Sequence, residues 1–224
     1  FNTNMYDFTY VQYIKSRNWY LAATHSNGIL VIKDGVVINR FDETNSPLKR
    51  QPPINLIKVS GIAEDSKGNI WFGSYSEGVC LLQNGKLQYF TSQNGLSDNQ
   101  VRSIYEDKNG IIWFECGIGL SIYKDEKMTV FIERNYATKQ LKLSDDDLWF
   151  KSDASIGNSK LEKKSGVYQY DGNELYYHTY TVKDKSGQEI PWAKSTNFVR
   201  SKNGIVWFGA YSELIGINGK QLIT

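Results

Sequence analysis

Short, continuously apolar runs recur along this chain, each centred on a tryptophan or closely following one. Examples are "IWFG", "IIWF", "LWF" and "IVWF", which lie between segments that end in Gly-containing turns. A strand with only one buried face would alternate between apolar and polar residues, whereas these runs do not. The pattern therefore predicts short strands sandwiched between neighbouring sheets, with the tryptophans in the core.

The runs belong to a repeat whose most regular copy is Ser103 to Phe131. Each copy predicts a strand, a tight turn, a Trp-centred strand, a Gly-containing loop and a hairpin. A period of roughly 40–45 residues with four short strands per unit is typical of a β-propeller blade. The expected fold is all-β: a single domain over residues 1–224, a five-bladed propeller with four antiparallel strands per blade. An arc of a larger ring, with six to eight blades, is the alternative. The marker tryptophans and the expected blades are Trp19 in 9–41, Trp71 in 61–90, Trp113 in 101–132, Trp149 in 141–180 and Trp207 in 196–224.

Two turn sequences support this assignment. "DSKGN", "DKNGI" and "SKNGI" join the first and second strands, where Gly accepts positive φ and Asp or Ser can hydrogen-bond the turn backbone. Asp-Gly or Asn-Gly pairs join the third and fourth strands in four copies and predict two-residue type I′ hairpins. These pairs are Asp34-Gly35, Asn84-Gly85, Asp171-Gly172 and Asn218-Gly219; the third copy has "KDEK" instead.

Composition and charge exclude several classes of function. The formal net charge is +2, which gives no basic surface for nucleic acid. No apolar run approaches the ~18 residues of a membrane helix. The two histidines, His25 and His178, have no matching Cys or carboxylate spacing, so neither a metal nor another cofactor is expected. Cys80 and Cys116 are expected to be buried free thiols, with a disulfide as the alternative.

The third copy resembles the two-component regulator propeller repeat. The residues that carry the resemblance are Gly95, Leu96, Ser97, Val101, Ile104, Glu106, Asp107, Gly110, Trp113, Phe114, Gly119 and Leu120. The second copy matches from Ile62 to Gly78, and the fifth matches with Ser201 where Asp is expected. The resemblance implies a sensor or ligand-binding propeller outside the cytoplasm, periplasmic or secreted after removal of a signal peptide, and often glycan-binding. The matched residues are structural, so it implies no catalytic residue.

A weaker resemblance links "EDSKGNIW" and "EDKNGIIW" to the Asp-box turns of sialidases. Those turns are also structural. A sialidase would need clustered arginines, and none of the six arginines here has such a context.

The long insertions all fall on one predicted face. In a four-stranded meander, the loops after strand two and between blades share a face, and the other loops lie opposite. The insertions Asp42 to Ser60, Lys151 to Ser165 and Thr181 to Asn197 all belong to the first set. Variable loops on a rigid scaffold are where binding usually resides, so this long-loop face is the expected functional surface.

Candidate ligand-binding residues lie in the loops of that face. The near-duplicate loops "GSYSEG" and "GAYSEL" carry Tyr75 with Glu77 and Tyr211 with Glu213. His25 occupies the equivalent loop of the first copy, and Trp192 lies in the last insertion. Aromatic rings with carboxylates and hydroxyls suit a sugar, although loop packing and capping would explain the same residues.

Three functions follow as hypotheses. The first is a non-catalytic module that binds a glycan or a protein partner on the long-loop face. The second is a glycoside hydrolase or polysaccharide lyase, for which Glu77 and Glu213 are the repeated carboxylate pair; hydrolysis needs two carboxylates about 5–10 Å apart. The third is a purely structural propeller within a larger assembly.

Overall fold

The computed structural model forms strands joined by turns and divides into two compact units, Phe1–Arg134 and Asn135–Thr224. It describes residues 7–25, 28–41, 59–132, 137–142, 148–153, 166–178, 181–183, 186, 189–191, 198–210, 213–218 and 221–223. Within these residues there are five four-stranded sheets. In each, strands adjacent in sequence pair antiparallel. The predicted all-β, four-strand meander is therefore confirmed, whereas the number of blades in a ring stays a prediction.

The first unit contains three of these sheets. Sheet one comprises β1 (Phe8–Ile14), β2 (Trp19–Thr24), β3 (Ile29–Lys33) and β4 (Val36–Phe41), with a 3₁₀ turn at Lys15–Arg17. Sheet two comprises β5 (Val59–Glu64), β6 (Ile70–Ser74), β7 (Val79–Gln83) and β8 (Lys86–Phe90). Sheet three comprises β9 (Val101–Glu106), β10 (Ile112–Cys116), β11 (Leu120–Lys124) and β12 (Lys127–Ile132).

The second unit contains two four-stranded sheets and a hairpin. Sheet four comprises β13 (Ala137–Lys142), β14 (Leu148–Asp153), β15 (Gly166–Tyr170) and β16 (Leu175–His178). The insertion that follows forms a two-stranded hairpin, β17 (Thr181–Lys183) and β18 (Glu189–Pro191). Sheet five comprises β19 (Phe198–Arg200), β20 (Val206–Ala210), β21 (Glu213–Asn218) and β22 (Gln221–Ile223).

Within the first unit, sheet one packs face to face on sheet two, and sheet two packs face to face on sheet three. We call the face turned toward the earlier sheet the preceding face, and the opposite one the following face. The preceding face of sheet two carries Phe72 and Ile62, which pack in one cluster with Leu21 and Val31 of sheet one. This arrangement buries both faces of β6, which explains why its sequence is continuously apolar. Strand β10 is also buried throughout.

The following face of sheet two carries Trp71, which packs against sheet three. Its ring centroid lies 5.4 Å from that of Phe114 in an edge-on contact. Trp71, Trp113 and Trp149 are all buried, as predicted. Trp19 and Trp207 are only partly buried, so the core assignment holds fully for three of the five marker tryptophans.

The turn between the first two strands is organised by an aspartate. In sheet two, Asp65 Oδ1 accepts the backbone N–H groups of Lys67 and Asn69. Its Oδ2 accepts the Asn69 side-chain amide and, at 2.9 Å, the indole N–H of Trp71. Asp107 repeats the arrangement in sheet three, with the Trp113 indole N–H also at 2.9 Å. The aspartate therefore supports both the turn and the buried tryptophan of the next strand.

The segment before sheet three wedges between two sheets. Gly95 has φ +122° and brings the chain against the Met128 carbonyl. Leu96 is buried in the cluster between sheets two and three. The Ser97 N–H donates to Ser121 Oγ at 2.8 Å. These contacts give the Gly-Leu-Ser sequence a packing role.

Two of the predicted Asp-Gly and Asn-Gly hairpins differ in the structure. Asp171 and Gly172 lie in a four-residue loop, because Tyr170 pairs with Leu175. The Asp171 carboxylate accepts the N–H groups of Asn173 and Glu174, both at 2.9 Å, and this cap stabilises the longer loop. Asn218 is a strand residue paired with Gln221, and Gly219 lies outside the described residues.

The "KDEK" hairpin of sheet three adopts the same turn as Asp34-Gly35 and Asn84-Gly85. Asp125 and Glu126 have φ of +50° and +60°, as a type I′ turn requires, although neither is glycine. Lys124 pairs with Lys127, so the register of β11 and β12 imposes this conformation. A left-handed conformation costs a non-glycine residue roughly 1 kcal/mol.

We expect Glu126→Gly to raise the free energy of unfolding by about 0.5–1 kcal/mol, because it removes this conformational cost. Urea denaturation measures the effect. Lys127→Gly, one residue further along in β12, is the control and should destabilise. A loss of stability in Glu126→Gly would contradict the turn assignment.

Both cysteines are buried and free. Burial raises the pKa of the Cys80 thiol to about 12, although the hydrogen bond with Tyr89 opposes the shift. Burial likewise raises the pKa of Cys116. The expectation of free thiols therefore agrees with the structure, and the alternative of a disulfide does not.

We expect both thiols to resist alkylation in the native chain at pH 8. With a pKa of about 12, only about one Cys80 thiol in 10⁴ is a thiolate at that pH. Thiol titration before and after guanidinium unfolding measures this. Two reactive thiols only after unfolding are expected, and rapid modification of the folded chain would contradict the buried placement.

Candidate functional site

The loop between β6 and β7 presents Tyr75 and Glu77 to solvent from a well-anchored base. Ser74 is buried, and its N–H donates to Gly78 O at 2.9 Å. Its Oγ accepts the N–H groups of Ser76 and Glu77 at 3.3 and 3.2 Å. Tyr75 lies at the tip and is 52% exposed. The loop therefore holds an aromatic ring and a carboxylate at the surface on a fixed backbone.

His25 occupies the corresponding loop of sheet one. Thr24 stands in the place of Ser74, and both its N–H and its Oγ donate to Gly28 O at 2.9 Å. His25 is exposed, and its N–H donates to the Asp7 carbonyl at 2.9 Å. The equivalence of the His25 and Tyr75 loops, expected from the sequence, is thus present in the backbone geometry.

The segment before sheet three connects the strand-two loops of two sheets. The Asn99 carbonyl accepts the N–H of Gly78, and the Gln100 carbonyl accepts the N–H of Gly117 at 2.6 Å. The side chains of Asp98 and Gln100 lie so close to Gly117 that a Cβ there would overlap their oxygens. These hydrogen bonds place the polar Asp98–Gln100 segment beside the loops that follow the second strands of sheets two and three.

Asp98 and Gln100 were not among the residues predicted for a site. A signal was available, because the polar run "SDNQ" follows directly after Gly-Leu in an otherwise apolar repeat. Their position beside Gly117 depends on the packing of sheets two and three, which no local pattern reports.

Glu115 is a buried carboxylate that the sequence reasoning also missed. It stands near the end of β10, where sheet two has Gly73, and pairs with Ser103 and Leu120 in the ladder. The Ser103 hydroxyl donates to Glu115 Oε2 at 3.1 Å. Burying a carboxylate is costly unless it is hydrogen-bonded. The C-terminal end of β10 therefore differs from that of β6, because it carries a buried carboxylate where β6 has Gly73.

The other predicted site residues cannot be placed beside these. Tyr211 and Trp192 lie outside the described residues, as do positions 42–58 and 154–165 of the long insertions. Glu213 begins β21, but only its backbone is described. The proposed grouping of both Tyr/Glu loops therefore stays a prediction.

His178 has a structural environment. Its ring stacks on Trp149 with 5.3 Å between centroids, and its Nε2 lies 3.1 Å from Gln169 Oε1. Desolvation by burial lowers its pKa. These contacts fit a neutral core histidine.

Neither a metal centre nor a membrane helix is found in the part of the chain that the structure describes. No group of three or more His, Cys, Asp or Glu side chains there is arranged to hold a metal ion. Within the same residues, no helix has the length and hydropathy needed to cross a bilayer.

Similarity to solved structures identifies the fold. The chain is similar to the extracellular domain of the putative hybrid two component system BT3049 from B. thetaiotaomicron, with a TM-score of 0.62 and 21% identity, over 96% of this chain and 28% of that chain. It is also similar to the corresponding domain of BT4673 from the same organism, with a TM-score of 0.57 and 18% identity, over 96% and 27%. The chain thus spans little more than a quarter of these relatives.

An enzyme shares the same architecture. Virginiamycin B lyase from Staphylococcus aureus matches with a TM-score of 0.56 and 16% identity, over 99% of this chain and 70% of that chain. At such identities the likeness establishes a propeller-type fold and nothing about activity. No curated protein sequence matches the chain significantly.

A family model matches two of the repeat copies. The model of the two component regulator propeller matches residues 54–76 and 95–114, which contain the aspartate-centred turn of sheet two and the Gly-Leu-Ser segment with the first two strands of sheet three. Two segments of the chain therefore match the two component regulator propeller repeat.

Proposed function

We propose that this chain is a non-catalytic, ligand-binding part of an extracytoplasmic sensor propeller, and that it recognises a glycan or a protein partner through the long-loop face. The observation that carries the proposal is the Tyr75 loop, where an exposed ring and the Glu77 carboxylate stand on a backbone fixed by Ser74 and Gly78. A rigid loop loses little conformational entropy on binding, which favours recognition.

The repeats support a location outside the cytoplasm. The family model describes regulator propellers, and the two sensor neighbours are named as extracellular domains. A sugar is a suitable ligand for this surface, because its apolar faces stack on aromatic rings and its hydroxyl groups need hydrogen-bonding partners such as Glu77.

Glycan-array binding with purified chain tests the proposal. The wild type should bind at least one glycan class, and Tyr75→Ala combined with Tyr211→Ala should abolish that binding. Tyr176→Ala serves as the control, because Tyr176 lies on the fourth strand of sheet four. Unchanged binding in the double variant would contradict the site, and a wild type that binds neither a glycan nor a protein on a parallel array would contradict the function.

The second candidate function is catalytic, a glycoside hydrolase or a polysaccharide lyase. It is favoured by the occurrence of the same fold in a lyase. Glu77 is solvent-exposed, whereas a catalytic carboxylic acid that donates a proton usually lies in a desolvated position. Turnover of a bound oligosaccharide that is lost in Glu77→Gln and Glu213→Gln, with binding retained, would establish catalysis over simple recognition.

A further inference from the structure

The residues that the structure describes include four complete Asn-Gly pairs, each with an exposed asparagine. They are Asn84-Gly85, Asn94-Gly95, Asn109-Gly110 and Asn203-Gly204. Asparagine before glycine is chemically labile, because the glycine nitrogen can attack the side-chain amide without hindrance from a Cβ. The attack needs a side chain that can turn and a backbone nitrogen that is available. Since the four pairs share the same dipeptide, the hydrogen bonds around each pair decide which reacts first.

Two of the pairs have an engaged backbone nitrogen. The Gly110 N–H donates to the Asp107 carbonyl at 3.0 Å, and the Gly204 N–H donates to the Ser201 carbonyl at 2.9 Å. The Ser201 hydroxyl also donates to Asn203 Oδ1. Each of these glycines must break a turn hydrogen bond before its nitrogen can attack, so both pairs are protected.

The Asn94-Gly95 pair is protected through its side chain instead. The Asn94 amide donates to the Tyr89 carbonyl at 3.0 Å, and Asn94 Oδ1 accepts the Thr91 N–H. Both polar atoms of the side chain are therefore held by backbone groups. The amide must leave both partners before its carbon can meet the Gly95 nitrogen.

The Asn84-Gly85 pair has neither restraint. The two residues form the tip of the hairpin between β7 and β8, where Gln83 pairs with Lys86. In the part of the chain that the structure describes, no hydrogen bond is made by the Asn84 side chain or by the Gly85 N–H. A Cβ on Gly85 would meet nothing within 4 Å, so the tip has room to change conformation.

We propose that Asn84 is a site of selective deamidation, which converts to aspartate and isoaspartate in the folded chain before the other described Asn-Gly pairs do. The Gly85 nitrogen forms a bond to Asn84 Cγ, the Cγ–Nδ2 bond breaks, and the Gly85 N–H proton leaves with the departing ammonia. Water then opens the cyclic imide at one of its two carbonyl carbons. One opening gives aspartate, and the other inserts the Cβ methylene into the backbone as isoaspartate.

The modified turn lies away from the candidate binding loop. The Tyr75 loop precedes β7 and the Asn84 turn follows it, so the two lie at opposite ends of that strand. The added methylene of isoaspartate should disturb the pairing of Gln83 with Lys86 and leave the Tyr75 loop unchanged. Deamidation at Asn84 is therefore independent of any ligand that the long-loop face binds.

Peptide mapping by mass spectrometry during incubation at mildly alkaline pH tests the proposal. In the folded chain Asn84 should deamidate at least about fivefold faster than Asn94, Asn109 and Asn203, the factor that one hydrogen bond is worth. The matched control is the same chain in guanidinium, where the four pairs should react at similar rates because only the shared dipeptide remains. Gly85→Ala should slow the reaction at Asn84, because the added Cβ hinders the attacking nitrogen.

Three outcomes would overturn the proposal. The first is equal rates at the four pairs in the folded chain, or a slower reaction at Asn84 than at Asn94. The second is a preference for Asn84 that is just as large in guanidinium, because the selectivity would then come from the sequence. The third is an unchanged rate at Asn84 in Gly85→Ala, which would exclude attack by the Gly85 nitrogen.

Discussion

Replacing Asp65 by Ala should lower the free energy of unfolding by about 3–4 kcal/mol. The carboxylate accepts four hydrogen bonds, two from turn N–H groups and two from the side chains of Asn69 and Trp71. Trp71 is fully buried, so its indole N–H would lose its acceptor away from water. An unsatisfied buried donor costs about 1–3 kcal/mol, and the loss of the turn contacts adds to this.

Ser66→Ala is the matched control in the same turn. The Ser66 hydroxyl donates to Glu106 Oε1 at an exposed site, so its removal should cost less than about 1 kcal/mol. Urea denaturation followed by tryptophan fluorescence measures both variants. Equal effects of the two substitutions would contradict the role of Asp65 as the partner of the buried indole.

The second large effect is expected for Gly78→Ala. Gly78 has φ +89°, and a Cβ there would overlap the carbonyl oxygen of Phe90. The clash involves backbone on both sides, so a side-chain rotation cannot relieve it. We expect a loss of more than about 4 kcal/mol, in the range reserved for severe backbone or packing defects.

Gly85→Ala separates the steric clash from the conformational cost. Gly85 has φ +73°, but a Cβ there would meet nothing within 4 Å. Its replacement should therefore cost only about 1 kcal/mol. Denaturation midpoints compare the two variants. Similar losses would show that positive φ alone explains the effect at Gly78 and would contradict the close approach to Phe90.

The local elements of the fold were predictable because their signals are local. The Trp-centred runs correspond to β6 and β10, which are buried throughout. The Asp34-Gly35 and Asn84-Gly85 turns both have the positive φ values that the type I′ assignment requires. Turn chemistry and burial on both faces leave their mark within a few residues, which a single sequence displays.

Two of the hairpin turns could not be predicted correctly from the local sequence. Asp171-Gly172 has the sequence of a two-residue turn, but side-chain capping by Asp171 stabilises a four-residue loop. Asp125 and Glu126 lack the glycine and still adopt the turn, because the pairing of Lys124 with Lys127 imposes it. In both cases the contacts made by neighbouring residues outweigh the intrinsic preference of the dipeptide.

Some features of the candidate site were likewise predictable from the repeat, and others were not. The correspondence between the His25 and Tyr75 loops follows from the repeat, since each loop is closed by a hydrogen bond from Thr24 or Ser74 to a glycine carbonyl. The proximity of Asp98 and Gln100 to Gly117 does not follow from it. It arises because the connecting segment is held between two sheets.

By itself, the sequence determined the strand repeat and the aspartate-centred turns, and it predicts the face on which the variable loops lie. These features depend on side-chain alternation, turn propensity and loop length, which act over a few residues. Only the tertiary structure decided that Asp65 accepts the Trp71 indole N–H and that the Trp71 ring packs edge-on against Phe114 of the next sheet. Burial on a sheet face depends on which sheet packs against it, and that contact joins residues far apart in the chain.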